Sequence, residues 1–407
     1  MENSPFPNPE IGFPQAEYDR AAVVLMHEPE DELSVGMFCP RAALFERPFD
    51  VAEARREHRA YQQLLQQLGL EVYTVRQLLL KGCVDTQGNW IPGEETDRLR
   101  ILAAEAVTLT APDIAPDELE RYKATLLEGY TPDDVVRVVL QRPEIELRNT
   151  SINTGLTAGY CLNPLMNLFY MRDQVITTSK GVVVGRMHSP QREVECRLVT
   201  FCLRKLGIEP IAHIHGDDAF LEGGDFMPMR RCDVINCGLR TTPAAIAQLM
   251  EDDALDKELL VVVNDAWREQ KQMHLDTYFN VIDHNLVTLC RTRYDAQPGD
   301  VKFLTADVYL RRGPGDYQLI SSGKPFTDLL RSSGYEILPI AEEQRLGNNF
   351  LCIEGREIVL VDGQSDEFMR QLKHYGVTAH RMKLDNLIGG YGAAHCMTQV
   401  IARKRIG

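Results

Sequence analysis

The sequence predicts an α/β protein interrupted early by a helical insertion. Three observations carry that expectation. Short apolar runs alternate with amphipathic stretches, one acid-rich segment reads as helix after helix, and 407 residues suffice for a large core.

Ala21 to Met26 is a short apolar run and reads as a buried strand, followed by polar loop residues through Pro40. From about Val51 to Leu68, apolar residues recur at helical spacing (Val51, Ala54, Tyr61, Leu64, Leu65, Leu68), and Gly69 supplies a C-terminal stop. Val72 to Val75 is rich in strand formers, which completes a strand, helix, strand unit. Between about Leu78 and Leu147 the texture changes. Acid-rich helical stretches at Glu94 to Val107, Pro116 to Glu128 and Pro132 to Leu140 are punctuated by prolines and glycines. Strand-like pieces then return at Gln174 to Thr178, Gly181 to Val184, Val234 to Asn236, Leu259 to Val263 and Ile358 to Val361, with helices at Glu193 to Leu206 and Pro243 to Met250. No strict sequence repeat is visible.

Composition excludes several function classes. Hydrophobic residues at 44% and charged residues at 25% are globular averages, which argues against disorder and fibrous repeats. A net charge of −15 repels phosphate backbones, so no nucleic-acid partner is expected, and the terminal Arg403-Lys404-Arg405 reads as a solvated tail. Met1 to Ala16 lacks the basic start and apolar core of a signal peptide, and no apolar run approaches the roughly 20 residues needed to cross a bilayer. A cytoplasmic protein with no membrane partner is expected. Ten scattered cysteines fit reduced, mostly buried thiols. Cys232 and Cys237 do not form a CxxC pair, His213 and His215 have no third ligand nearby, and Ser322-Gly323-Lys324 lacks the upstream glycines of a phosphate loop. No metal is expected.

Four segments place chemistry-bearing groups beside glycines or turn residues. In Asn167-Leu-Phe-Tyr-Met-Arg172-Asp173 a charged pair ends an apolar strand, where the carboxylate either faces a pocket or forms an exposed ion pair. Glu222-Gly223-Gly224-Asp225 sets two carboxylates around glycines that permit close backbone approach, or it is a plain tight turn. In His274-Leu275-Asp276 an extended backbone would point imidazole and carboxylate to one face, unless the histidine is a satisfied core residue. Gly389 to Thr398 puts Cys396 after a small-residue loop able to open and close, the alternative being a buried structural thiol.

Together and in this order, these segments resemble the arginine deiminases, members of the guanidine-modifying pentein superfamily. Arg192 with Glu195, Arg240-Thr241-Thr242-Pro243 and His395-Cys396-Met397-Thr398 extend the match over nearly the whole chain. The resemblance implies a fan of five ββαβ units around a pseudo-fivefold axis, with an inserted helical domain. Residues 1–78 and 151–407 would form the catalytic domain and 79–150 the insertion. It also implies roles: Cys396 as nucleophile, His274 as general acid and base, Asp173 and Asp276 as the grip on a guanidinium, and Glu222 as the group that orients or charges His274. Asn167, Arg192 and Arg240 match the positions that hold the α-carboxylate of free arginine, the alternative being that both arginines pair with structural acids. The expected reaction gives citrulline and ammonia through a covalent thiouronium, with no cofactor. A homo-oligomer is expected.

The residue types suit that chemistry. A guanidinium is a planar, delocalised cation that resists water, and two carboxylates can fix its carbon beside sulfur. Carboxylates near a thiol oppose its ionisation, but a bound cation about 4 Å away is worth roughly 4 kcal/mol at an effective dielectric of about 20, or about three pK units. Substrate-assisted ionisation is therefore expected. The chain departs from the family pattern at Tyr391, where many bacterial members have arginine, and at Ala393 and Ala394, where glycines are common. Amidinotransferases and arginine dihydrolases of the same superfamily, and a noncatalytic binding pentein, are the rival readings.

Overall fold

The computed structural model describes residues 5–6, 8–112, 114–152, 155–341 and 346–404. The fold is mixed α/β. Five of its sheets share one plan, in which an antiparallel pair of strands is followed by a third strand parallel to the second.

The first such sheet closes the chain on itself. Ala21–Met26 pairs antiparallel with the C-terminal strand Gln399–Lys404 and parallel with Glu71–Thr74, and the helix Val51–Gln67 makes the crossover. Every residue of Ala21–Met26 is buried, because strands flank both edges and side chains pack on both faces, which is why the run carries no polar alternation. The crossover helix starts at Asp50, whose side chain accepts the Glu53 N–H at 2.9 Å, a cap worth about 1 kcal/mol. It stops where Gly69 takes φ +84°, a left-handed turn that glycine adopts without strain.

The second sheet joins Val175–Thr177, Val182–Val184 and Ala212–His213, with the helix Glu193–Lys205 as crossover. In the third, Phe226–Pro228, Cys232–Cys237 and Leu259–Asn264 are linked by the helix Pro243–Glu251 and extended by the long hairpin Thr305–Gly313 and Asp316–Pro325. The fourth contains Phe279–Asp283, Leu286–Cys290 and Glu336–Ile340. The fifth contains Leu351–Glu354, Glu357–Val361 and Thr378–Met382, crossed by the helix Asp366–His374. The repetition lies in topology, with nothing matching it in sequence.

Between the first and second sheets run the helices Glu94–Ala106, Pro116–Glu128 and Pro132–Gln141, close to their expected bounds. The last opens on a Thr131–Asp134 capping box and ends at Arg142 in the left-handed conformation. The expectation of helices alone was incomplete, because a sixth sheet of Thr108–Thr110, Pro143–Asn149 and Leu156–Leu162 accompanies them. Its signal is a period of two: Ile145 and Leu147 are half-buried while Glu144, Glu146 and Arg148 are exposed.

Two other expectations need correction. The stretch from Asn167 to Asp173 is a series of turns and no strand, since its backbone groups close local bonds such as Tyr170 N–H to Asn167 O (3.0 Å). Arg403 is no solvated tail: it is 1% exposed and donates to Glu17, Asp19 O and Cys352 O, while Arg405 lies outside the described residues.

Candidate active site

Segments far apart in the chain bring Asp173, Glu222, His274, Asp276 and Cys396 together in the interior, each at most 4% exposed. The convergence depends on tight turns. Gly223 and Gly224 form a single helical turn between Glu222 and Phe226, and a Cβ on Gly224 would lie 2.7 Å from His274 Nδ1, so only glycine lets the imidazole seat on this backbone. His274 itself caps the four-residue helix Leu275–Tyr278. The expected extended His274-Leu275-Asp276 is therefore replaced by a single extended residue, His274, that leads into a helical turn, and the two side chains meet different partners.

The imidazole half is dense in charge. His274 Nε2 lies 2.8 Å from Glu222 Oε2, and Nδ1 lies 3.6 Å from Asp173 Oδ1. Glu222 Oε1 also accepts the His188 N–H at 2.9 Å and faces Arg240 Nη1 at 3.9 Å. Burial opposes charge on the ring, but Asp173, Glu222 and Asp225 outweigh it and raise the His274 pKa to about 9. Burial also opposes ionisation of Glu222, yet the hydrogen bond to His274 and the charges of His274, Arg240 and Arg192 hold it well below the usual carboxylate range. His274 is thus an imidazolium at neutral pH beside an ionised Glu222.

Asp225 anchors this half from below. It accepts Leu275 N–H (3.0 Å), Asn236 Nδ2 (2.9 Å) and the Thr241 hydroxyl (2.6 Å), and burial raises its pKa to about 6. Arg192 donates to Asp173 Oδ2 at 2.7 Å and to both Glu195 oxygens, and Nη2 reaches Asn167 O at 3.4 Å. Glu195 in turn accepts from Gln174 at 2.7 Å. In this geometry Arg192 makes the pairing with structural acids that the sequence left open. Arg240 differs: it donates to Gln270 Oε1 at 3.3 Å, and its buried Nε has no partner. The Asn167 amide donates to Ala43 O at 3.1 Å.

The sulfur half is less charged. Cys396 Sγ lies 3.3 Å from Asp276 Oδ2 and 3.1 Å from Asn349 Nδ2. Asp276 Oδ2 also accepts from His395 Nδ1 at 2.7 Å, and His395 Nε2 lies 3.4 Å from Glu17 Oε1, which Arg403 holds. Burial, Asp276 and Asp173 push the thiol well above its ordinary value, against the pull of Asn349. Asp276 stays below the usual range despite its burial, because of the His395 hydrogen bond.

Within this cluster two buried carboxylate oxygens, Asp173 Oδ1 and Asp276 Oδ1, have no hydrogen-bond donor. Orphaned acceptors of this kind are costly, about 1–3 kcal/mol each or more when charged, and a ligand that brings donors would satisfy these two. Asp173, Glu222 and His274 also have the donor types of a metal site. Their carboxylates already face Arg192 and Arg240, however, so their charge is compensated.

The small-residue loop covers the cluster. Leu387–Gly390 forms a helical turn whose first N–H, with that of Asn386, bonds to Glu57. Tyr391 follows in the left-handed conformation, φ 74°. A Cβ on Gly392 would stand 2.7 Å from both Cys396 Cβ and Tyr170 Cε1, so glycine permits the loop to close on sulfur. His213 and His215, set aside above as a metal pair, are both exposed.

Sequence reasoning assigned no role to Asn349, Glu17, Asp225 or Arg172, whose N–H meets Cys396 O at 3.0 Å. Asp225 and Arg172 lie inside segments singled out above and could have been found there. Glu17 and Asn349 carry no local signal.

A family model described as arginine deiminase matches residues 42–403. Among curated relatives, the arginine deiminase of Halobacterium salinarum is 24% identical, over 95% of this chain and 96% of that protein. That of Staphylococcus haemolyticus is 24% identical, over 87% and 88%. Solved structures share the fold at lower identity. DDAH from Pseudomonas aeruginosa complexed with citrulline aligns at TM-score 0.54 and 14% identity, over 93% of this chain and 98% of that one. The amidinotransferase SxtG from Microseira wollei aligns at 0.55 and 12%, over 97% and 98%. The N-terminal domain of ArgZ, an arginine dihydrolase from Cyanobacteria, aligns at 0.55 and 10%, over 94% and 97%.

Proposed function

The chain belongs to the arginine deiminase family, and from that premise we propose that it hydrolyses free L-arginine to L-citrulline and ammonia through a covalent cysteine thiouronium. The carrying observation is the pair of donor-free carboxylate oxygens, Asp173 Oδ1 beside the imidazole and Asp276 Oδ1 beside the thiol. A guanidinium bound to both would satisfy them and set its carbon between nucleophile and acid. Its positive charge would offset the two carboxylates that keep the thiol protonated, so ionisation follows binding.

Cys396 Sγ then adds to the guanidinium carbon. His274, already an imidazolium, gives its proton to the leaving nitrogen, and ammonia departs from a tetrahedral adduct to leave the thiouronium. The neutral imidazole that remains takes a proton from water. The resulting hydroxide attacks the same carbon, the second adduct expels the thiolate, and the proton of its hydroxyl passes to the sulfur, which frees citrulline and restores the thiol. Glu222 holds the ring and favours its charged form. Arg240, with one buried nitrogen free and Glu222 at long range, suits the α-carboxylate, whereas Arg192 is held by Asp173 and Glu195 and the Asn167 amide by Ala43 O. No metal or organic cofactor enters this scheme.

The shared build of the five sheets supports a pseudo-fivefold arrangement with the site at its centre. The helical domain is taken as 79–150, between catalytic segments 1–78 and 151–407, although its sheet continues into Leu156–Leu162. Ten free cysteines suit a reducing compartment such as the cytoplasm, and among the described residues no helix is long and apolar enough to cross a membrane. The exposed Tyr160 and Leu162 on the inserted sheet fit a homo-oligomer, which light scattering would check.

The test is incubation of the purified protein with arginine and identification of every product. Citrulline and ammonia in equal amounts are expected. Ornithine would assign the chain to amidinotransfer or dihydrolysis, and no turnover would favour a binding protein.

A further inference from the structure

Asn349 is fully buried, two residues before the strand Leu351–Glu354, and its whole amide is engaged. Oδ1 accepts the N–H of Ala393 at 2.7 Å and of Cys396 at 3.2 Å. Nδ2 donates to the Asp276 carbonyl at 3.1 Å and lies 3.1 Å from Cys396 Sγ. Backbone N–H groups are met only by oxygen, and a backbone carbonyl only by N–H, so the main chain dictates which way this amide faces. The remaining amide hydrogen is left for sulfur.

We propose that Asn349 is a further catalytic residue, whose Nδ2–H stabilises the Cys396 thiolate while its Oδ1 fixes the turn that carries the sulfur. The inference rests on Cys396 being the nucleophile. Sulfur is anionic twice in that reaction, at attack and again when the second adduct collapses. Its other close polar neighbour, the Asp276 carboxylate at 3.3 Å, disfavours a negative sulfur. Among the described residues, Asn349 is the side chain that donates to Sγ. The residue type follows from the geometry: one oxygen must face two N–H groups while a nitrogen on the same short side chain faces sulfur and a carbonyl. Serine is too small for both tasks, and aspartate would put a second anion against the thiolate.

The test reads thiolate formation directly, without substrate. The pH dependence of Cys396 alkylation by neutral iodoacetamide, followed by peptide mass analysis, is compared in the parent, Asn349→Ala and Asn349→Asp. The aspartate variant keeps an acceptor for both N–H groups and so retains the turn. Both variants should move the midpoint upward by about one to two pK units, the scale of a hydrogen bond to a charged group. kcat should fall about 10- to 100-fold while KM for arginine stays within about threefold, because the amide meets Asp276 only at its main-chain carbonyl and leaves the carboxylate to the guanidinium. A folded variant with the parent midpoint overturns the proposal and leaves Asn349 a scaffold residue. Failure of both variants to fold does so equally. Because alkylation needs no turnover, this outcome is separable from failure of the proposed reaction, which a fully active Cys396→Ala protein would reveal.

Discussion

The two halves of the candidate site solve opposite electrostatic problems. Around His274, three carboxylates and two arginines are arranged so that the ring is charged before any substrate arrives. Around Cys396, burial and the carboxylates of Asp276 and Asp173 leave the sulfur as a thiol, against the pull of the Asn349 amide. The contrast suits a cationic substrate. A proton donor must be ready when the adduct forms, whereas a thiolate held permanently among carboxylates would be expensive and reactive towards other electrophiles. One half is preset, and the other is switched on by the ligand.

The comparison breaks most severely if sulfur is dispensable. Cys396→Ala should lower turnover by at least about four orders of magnitude, as expected for loss of a covalent nucleophile, while calorimetry still detects arginine binding through the two aspartates. Ammonia release near the parent rate would remove the sulfur half from the chemistry.

A smaller effect is expected when the preset half loses one charge. The imidazolium of His274 is present at neutral pH and is lost as pH rises through about 9, so kcat/KM should decline on an alkaline limb near that value. The same raised pKa stabilises the fold at lower pH and loses that contribution over the same range, with other groups adding their own terms. Glu222→Gln removes the 2.8 Å charged bond, and should shift the limb down by about one to two units and cut the rate about 10- to 100-fold. An unmoved limb would assign it to another group.

The mildest probe separates the two arginines. The parent should favour arginine over agmatine by about two to three orders of magnitude in kcat/KM, because agmatine lacks the carboxylate. Arg240→Lys should shrink that preference about tenfold. Arg192, committed to Asp173 and Glu195, should behave differently, and its lysine variant should weaken both substrates alike because it disturbs the guanidinium grip. Equal processing of both substrates by the parent would remove the carboxylate contact.

Much of the scaffold was legible in the sequence because burial along one element leaves a period or a cap. The all-apolar Ala21–Met26, the stop at Gly69 and the Pro132 start were readable for that reason. So were the residue types of the reaction, since acid, thiol and imidazole sit beside glycines in short segments. The sheet at Pro143–Asn149 was hidden by its acid-rich alternation, and the turns from Asn167 to Asp173 by their apolar content, which marks burial and not backbone form. Only tertiary structure decided which partner each polar group takes. Asn349 meets Cys396, 47 positions away, and Glu17 lies beside His395 from the opposite end of the chain. Local pattern records what a residue needs, a buried face or a satisfied donor. The identity of the group that meets the need depends on how distant elements close over one another, and no periodicity within either element encodes that.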